Sequence, residues 1–172
     1  MSDRNSLIEM ELPRLRRFAW ALTRDPDWAD DLVQDCIERA LSRWSSWRGD
    51  GSLRAWLFAI LHNLFANGAR RRGRFRALFR SDGEVPESST PATQQSSMGL
   101  RDLDLALQQL PPEQRQVVLL VGVEGFSYAE VATIIGSPIG TVMSRLSRGR
   151  ERLRGLLATD EAGGGPVLRR IK

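Results

Sequence analysis

The chain has 172 residues, enough for one medium domain or two small ones, each with a modest core. Its net charge is +4 and Lys172 is its only lysine, an arginine bias that suits nucleic-acid binding and equally a GC-rich genome. A single cysteine, Cys36, and a single histidine, His62, exclude an intrachain disulfide framework and a Cys/His zinc site. Without a membrane-length apolar run or a signal-peptide core, we expect a cytoplasmic protein with no membrane insertion.

The first part of the chain predicts two amphipathic helices. Apolar residues recur at helical spacing over 7–22, and Asp25-Pro26-Asp27 ends that helix and begins another, which runs to about Trp44. Cys36 falls on the apolar stripe and is expected to be a small core residue. The opposite face is acidic and carries Asp27, Asp30, Asp31, Gln34, Asp35 and Glu38. Acidic residues in the first turn interact favourably with the helix dipole. The acidic residues farther along the helix leave two interpretations: a solvated face or a contact for a basic partner.

A third helix is predicted from a Ser52 N-cap to about Arg72. Outside its leucine-rich face it carries aromatic, amide and arginine side chains, which suit single-stranded nucleic acid. These residues are Phe58, Asn63, Phe65, Asn67, Arg70, Arg71 and Arg72. Alternatively, both phenylalanines belong to the core. We expect His62 to be a surface residue and Gly68, which costs about 1 kcal/mol relative to alanine, to loosen the helix end.

The region after the third helix changes character. Six arginines and no acid lie between Arg70 and Arg80, and the polar stretch 81–97 predicts a flexible linker. Two further helices follow, one containing Leu103 and Leu107 and the other spanning 113–123. The glycine-rich end of the chain is expected to be a disordered tail.

The stretch 126–154 predicts a helix-turn-helix. Ser127 and Glu130 form the two halves of a capping box, and Gly136 ends the first helix where a left-handed residue is needed. The spacing of Ala132, Gly136 and Val142 gives a small crossing residue, a turn glycine and an apolar residue that packs back. The chain therefore contains a compact pair of helices near its C-terminus.

The second helix of this pair presents hydroxyl and guanidinium groups. They belong to Thr141, Ser144, Arg145 and Arg148, followed by Arg150, Arg152 and Arg154. Such groups suit a DNA major groove, where arginine binds guanine bidentately and also meets phosphates. The alternative is a solvated basic helix at the end of a bundle.

Three segments, in this order, resemble the sigma factors of bacterial RNA polymerase, specifically the extracytoplasmic-function (ECF) group. The family's core-polymerase-binding helix is similar to ADDLVQDCIERAL (29–41). Its promoter-melting and −10 segment is similar to WRGDGSLRAWLFAILHNLFANGARRR (47–72). Its −35-binding domain is similar to LPPEQRQVVLLVGVEGFSYAEVA with GSPIGTVMSRLSRGRERL. The resemblance covers nearly all of residues 12–157.

The resemblance implies a role for each surface. Contacts to the clamp helices of core polymerase are implied for Asp31, Gln34, Asp35 and Glu38. Contacts to the −10 element, including a pocket for a flipped base, are implied for Trp47, Arg48, Asn63, Asn67, Arg70 and Arg71. Reading of the −35 element is implied for Thr141, Ser144, Arg145 and Arg148. The sequence departs from the family where Met143 replaces Lys or Arg, Gly149 replaces alanine and Asn67 replaces aspartate. We expect Gly149 to loosen the helix end.

We therefore predict an all-α fold of two small helical domains joined by a flexible linker, the C-terminal one a helix-turn-helix. The expected divisions are 1–76, a linker over 77–99, a second domain over 100–157 and a disordered tail over 158–172. The predicted function is that of a sigma factor in transcription initiation and stress response, with core RNA polymerase, promoter DNA and an anti-sigma factor as partners. We expect no enzymatic activity, cofactor or metal.

Two other functions compete with this prediction. One is a helix-turn-helix regulator that does not bind core polymerase, which would need a ligand or dimerisation domain. The other is an interaction protein whose acidic and basic faces serve protein contacts alone. Salt-dependent affinity for promoter DNA in the presence of polymerase would exclude the latter.

Overall fold

A computed structural model describes residues 2–47, 49, 51–78 and 98–162, and these residues form helices without a strand. The elements are α1 (Ser2–Thr23), α2 (Pro26–Ser42), a short 3₁₀ helix (Trp44–Ser46), α3 (Leu53–Leu78), α4 (Met98–Gln108), α5 (Pro112–Gly122), α6 (Tyr128–Ile135) and α7 (Ile139–Ala162). Helices α1–α3 form an N-terminal domain and α4–α7 a C-terminal domain that ends in the helix-turn-helix. The all-α prediction is confirmed. Most of the expected linker and tail lies outside the described residues.

Local hydrogen bonds fix where the N-terminal helices begin. The Asp25 carboxylate caps α2 by accepting the Trp28 N–H at 3.0 Å, and this bond lowers the pKa of Asp25. Arg24 before it takes a left-handed conformation with φ 54°, which reverses the chain between α1 and α2. Ser52 caps α3 by accepting the Ala55 N–H at 3.2 Å. The predicted helix starts at Asp25 and Ser52 are thus confirmed.

The N-terminal core lies where α2 packs against both α1 and α3. Leu15, Phe18, Leu57 and Phe58 are almost wholly buried in it, and Phe58 belongs to the core as the alternative interpretation held. Cys36 is fully buried, its Sγ lies 3.4 Å from the Leu57 carbonyl oxygen, and burial raises the pKa of its thiol to about 12. The expectation that Cys36 is a small core residue is confirmed.

Trp28 explains the glycine inside α3. Its ring stacks on Phe65 at 5.4 Å between centroids, and the Arg72 guanidinium lies 4.0 Å from its ring centre. A Cβ at Gly68 would lie 3.3 Å from Trp28 Cζ2, so the glycine lets the indole approach the helix. Far from ending there, α3 continues to Leu78, beyond the expected end near Arg72.

The C-terminal helices reproduce the predicted helix-turn-helix. The capping box of Ser127 and Glu130 is complete, and the Ser127 N–H lowers the pKa of the Glu130 carboxyl. Gly136 adopts φ 61° and ψ 40°, the left-handed turn that the sequence predicted, and Val142 is fully buried. Helix α7 runs to Ala162, past the expected domain end at residue 157.

Gly149 is a packing position, which corrects the expectation of a loosened helix end. A Cβ there would lie 2.7 Å from Val118 Cγ2 and 3.5 Å from Gln114 Cβ, so α5 and α7 approach each other closely at this point. The helix continues without interruption on both sides of Gly149. The sequence could not reveal this, because the contact joins residues far apart in the chain.

One core crosses the boundary between the two domains, and a smaller cluster of Ala106, Leu110 and Leu153 lies apart from it in the C-terminal domain, whereas two separate modest cores were expected. Buried residues from Ile8 to Leu146 form one cluster that crosses the domain boundary. Phe58 of α3 and Phe126, which precedes α6, meet edge to face with centroids 5.1 Å apart. Val118 of α5 meets α7 at Gly149, and its neighbour Leu119 is 4% exposed. Two faces of α5 are therefore covered, consistent with its run of apolar residues.

Candidate polymerase and promoter interfaces

A buried carboxylate lies between the domains. Glu124, which follows α5, has 1% of its side chain exposed, and its Oε1 accepts from Arg17 of α1 at 2.8 Å. Arg54 of α3 donates to the backbone carbonyl of Glu124, lies 3.4 Å from its Oε2 and sits 4.3 Å from the ring centre of Phe126. Positive charges from α1 and α3 thus compensate one buried acid of the C-terminal domain.

Other polar contacts extend the interface along α1 and α4. Arg24 pairs with both carboxylate oxygens of Asp104, one of them at 2.7 Å. Arg115 donates to the Leu22 carbonyl at 3.3 Å and to the Gln108 carbonyl at 2.8 Å, and burial lowers the pKa of Arg115. The guanidinium group of Arg115 therefore connects the C-terminal end of α1 to the C-terminal end of α4.

His62 also belongs to this interface, so the expectation of a surface histidine is wrong. The Nε2 of the buried Gln116 amide donates to His62 Nδ1 at 2.6 Å. Burial lowers the pKa of His62, and the nearby positive charge of Arg145 lowers it further.

The four acidic or amide residues predicted for polymerase binding lie on one exposed face of α2. Asp31, Gln34, Asp35 and Glu38 are all exposed, and Gln34 Nε2 donates to Glu38 Oε1 at 3.1 Å. The salt bridges among the described residues do not use these carboxylates. The face is available to a basic partner.

The −10 candidates on α3 also share an exposed face. Asn63, Asn67, Arg70 and Arg71 are exposed and succeed one another at helical spacing. Asn67 and Arg71 line a cleft of about 790 Å³ with Asp31 and Asp35 of α2, which brings the acidic and basic faces to opposite walls. Sequence analysis had not predicted that these two sets of residues meet.

The loop before α3 is organised by three indoles. Trp47 lies 5.1 Å from Trp44 and 6.5 Å from Trp56, measured between ring centroids. Trp44 and Trp56 were not among the predicted site residues, although aromatic residues around a predicted base pocket were a usable signal. Arg48, the remaining −10 candidate, lies outside the described residues.

The −35 candidates on α7 divide into two environments. Ser144 and Arg148 are exposed, whereas Thr141 and Arg145 are partly covered. Ser144 Oγ donates to the Thr141 carbonyl at 3.1 Å. The four candidates therefore differ in how far they are open to DNA.

Comparison with known proteins identifies both domains. The family model for the Sigma2 domain of PhyR matches residues 8–62, and the model for sigma-70 region 4 matches residues 100–153. The chain is 40% identical over 153 residues to ECF RNA polymerase sigma factor EcfG of Rhodopseudomonas palustris (strain TIE-1), covering 88% of this chain and 83% of that protein. It is 33% identical over 134 residues to the ECF RNA polymerase sigma-E factor of Escherichia coli (strain K12), covering 72% of this chain and 70% of that protein.

Two solved structures resemble the arrangement of both domains. One is the sigma factor RpoE of Bartonella quintana in complex with the anti-sigma factor NepR, with TM-score 0.81, 39% identity and coverage of 93% of this chain and 99% of that one. The other is CnrH in complex with the cytosolic domain of CnrY, with TM-score 0.66, 25% identity and coverage of 91% and 88%. None of the helices described for this chain is long and apolar enough to cross a membrane. The chain belongs to the ECF group of RNA polymerase sigma factors, which bind core RNA polymerase and direct it to promoters.

Proposed function

We propose that this sigma factor binds core RNA polymerase through the exposed face of α2. The residues concerned are Asp31, Gln34, Asp35 and Glu38. The observation that carries the proposal is that all four side chains are exposed on one side of a helix whose other side is buried. A group of exposed carboxylates attracts a basic partner and orients it as it binds.

The −10 element is assigned to α3 and the loop before it. The proposed contacts are Trp47, Arg48, Asn63, Asn67, Arg70 and Arg71. Exposed amides and guanidinium groups in line along α3 can pair with bases and phosphates of a melted strand. The neighbouring indoles offer a surface on which a flipped base can stack.

The −35 element is assigned to Thr141, Ser144, Arg145 and Arg148 of α7. Thr141 and Arg145 are partly covered, and Glu124 of the same domain is bound by Arg17 and Arg54 of the N-terminal domain. We therefore propose that full use of this face requires the C-terminal domain to move away from the N-terminal one. The arrangement of the free chain is then a resting form that promoter binding must open.

The same resting form is proposed to be held by an anti-sigma factor. RpoE of Bartonella quintana was solved in complex with the anti-sigma factor NepR, and its match covers 93% of this chain. CnrH was solved in complex with the cytosolic domain of CnrY. The functional division proposed is 1–76 for polymerase and −10 binding, a linker over 77–99 and −35 binding from 100. The helical part of this C-terminal division extends to residue 162 rather than 157, because helix α7 ends at Ala162.

Co-elution with core RNA polymerase on a sizing column tests the α2 assignment. The full chain is compared with an Asp31→Arg/Asp35→Arg variant and with a matched Glu9→Arg/Glu113→Arg variant, whose two acids are exposed elsewhere. We expect the full chain and the matched variant to co-elute and the α2 variant to elute alone. Co-elution of all three would place the contact elsewhere. Failure of all three would favour a DNA-binding regulator that does not bind polymerase.

A further inference from the structure

Helix α7 has a second outward flank, distinct from the predicted −35 residues. Ile139 and Met143 lie one turn apart on it and are 49% and 52% exposed. Ser147, Arg150 and Arg154 continue the flank at intervals of three or four residues. The flank therefore changes from apolar at the start of the helix to cationic farther along.

The surroundings of Met143 leave it open. It lines a cleft of about 420 Å³ together with Tyr128, Leu146, Ser147 and Arg150. Glu151 and Arg154 complete the lining, so two arginines accompany a single acid. Met143 and Arg145 are two residues apart and therefore lie on opposite sides of α7. Met143 is therefore exposed on the flank of α7 that lies opposite Arg145.

The position of Met143 in the helix favours DNA over protein as its partner. In a helix-turn-helix the first residues of the second helix contact base edges, and residues farther along approach phosphates. The only apolar group on a base edge in the major groove is the C5-methyl of thymine. An unbranched, flexible methionine side chain can pack against such a methyl group, whereas it cannot donate a hydrogen bond to guanine.

We propose that Met143, assisted by Ile139 one turn earlier, recognises a thymine methyl group in the −35 element. Arg150 and Arg154 on the same flank hold the adjacent phosphates. This inference rests on the proposed −35 role of α7 and adds a specificity-determining residue to it. Burying one methyl group contributes about fourfold in affinity.

The test uses holoenzyme reconstituted from core polymerase and the full chain. Duplexes are first selected from a library randomised across the −35 region, and each thymine of the selected sequence is then replaced by deoxyuridine, which lacks only the methyl group. For the native chain we expect about fourfold weaker binding at one or two positions. Met143→Leu should keep that sensitivity, since the side chain stays apolar, and Met143→Ala should reduce it.

Met143→Lys supplies the sharpest contrast. It should bind thymine and deoxyuridine duplexes equally, and its selected sequence should shift toward guanine at the same position, because lysine donates to guanine O6 and N7. Met10→Lys is the matched control, since Met10 is 75% exposed on α1, and it should behave as the native chain does.

Three results would overturn the inference. Equal binding of thymine and deoxyuridine duplexes by the native chain would remove the methyl contact. If Met143→Lys selects the same sequence as the native chain but assembles less holoenzyme, the flank is a protein-docking surface and not a base contact. If holoenzyme forms but selects no −35 sequence, the proposed role of α7 fails as well; the first two results leave that role intact.

Discussion

Arg54 and Glu124 join the two domains of this sigma factor. The Arg54 guanidinium lies 3.4 Å from a carboxylate oxygen of Glu124 and also donates to its backbone carbonyl, although 70 residues separate the two positions. Arg17 reaches the other carboxylate oxygen at 2.8 Å. Opening the domains would expose this acid to water and free two arginines, so the cost of opening depends directly on Glu124.

Replacing Glu124 by glutamine should lower the free energy of unfolding by about 1.5–3 kcal/mol, the usual value of hydrogen bonds to charged groups. All five tryptophans lie between residues 20 and 56, so indole fluorescence reports only the N-terminal domain, whereas circular dichroism reports every helix. In urea the two signals should coincide for the native chain and separate for Glu124→Gln. Glu9→Gln, at an exposed position of α1, is the control. Coincident, unshifted transitions for Glu124→Gln would show that the carboxylate does not hold the domains together.

Gly149→Ala should destabilise the C-terminal domain. The added Cβ would meet Val118 Cγ2 at 2.7 Å, and overpacking of this kind costs about 1–3 kcal/mol, more than the helical preference of alanine returns. Thermal unfolding followed by circular dichroism measures the change. Adding Val118→Ala should restore much of the loss. Gly155→Ala in the same helix, where nothing lies within 4 Å of the new Cβ, should not destabilise. A stabilised Gly149→Ala would mean that α5 and α7 can separate freely.

Stability should depend on pH through His62, the only histidine of the chain. Because burial lowers the pKa of His62 in the folded protein, the unfolded state binds a proton first as the pH falls below about 6.5. The stabilisation is complete above that pH and decreases below it, by up to about 1.4 kcal/mol for each pH unit. Asp25 and Glu130, whose pKa values are also lowered, make stability depend on pH only below about pH 4.5.

Urea denaturation between pH 8 and 5 checks this expectation, with His62→Gln as the comparison. The variant should lose the decrease below pH 6.5, and the imidazole proton signal of the native chain should titrate below that pH. An imidazole that titrates at or above 6.5 would contradict the burial of His62 between α3 and α5.

Cys36 should resist thiol reagents until the N-terminal domain unfolds. Burial raises the pKa of its thiol from 9.0 to about 12, which lowers the reactive thiolate fraction about a thousandfold at neutral pH. Ellman's reagent should therefore react promptly in denaturant and very slowly in buffer. Rapid modification of the native chain would contradict the packing of Cys36 beneath Leu57.

The sequence by itself determined the elements whose causes are local. The capping box of Ser127 and Glu130, the left-handed Gly136 and the cap at Ser52 each depend on residues within a few positions, so they could be predicted directly. The same holds for the exposed face of α2, which follows from helical periodicity. The resemblance to ECF sigma factors rests on such segments, and the comparisons confirmed it.

The tertiary structure alone decided how the domains meet. The sequence predicted a surface position for His62 and a loosened helix at Gly149, and both predictions were wrong, because Gln116 and Val118 are distant in the chain. It also left the relative orientation of the domains open. Contacts such as Phe58–Phe126 and Arg54–Glu124 join residues about 70 positions apart. No local sequence pattern indicates which distant side chain will pair with a buried charge or cover an apolar face.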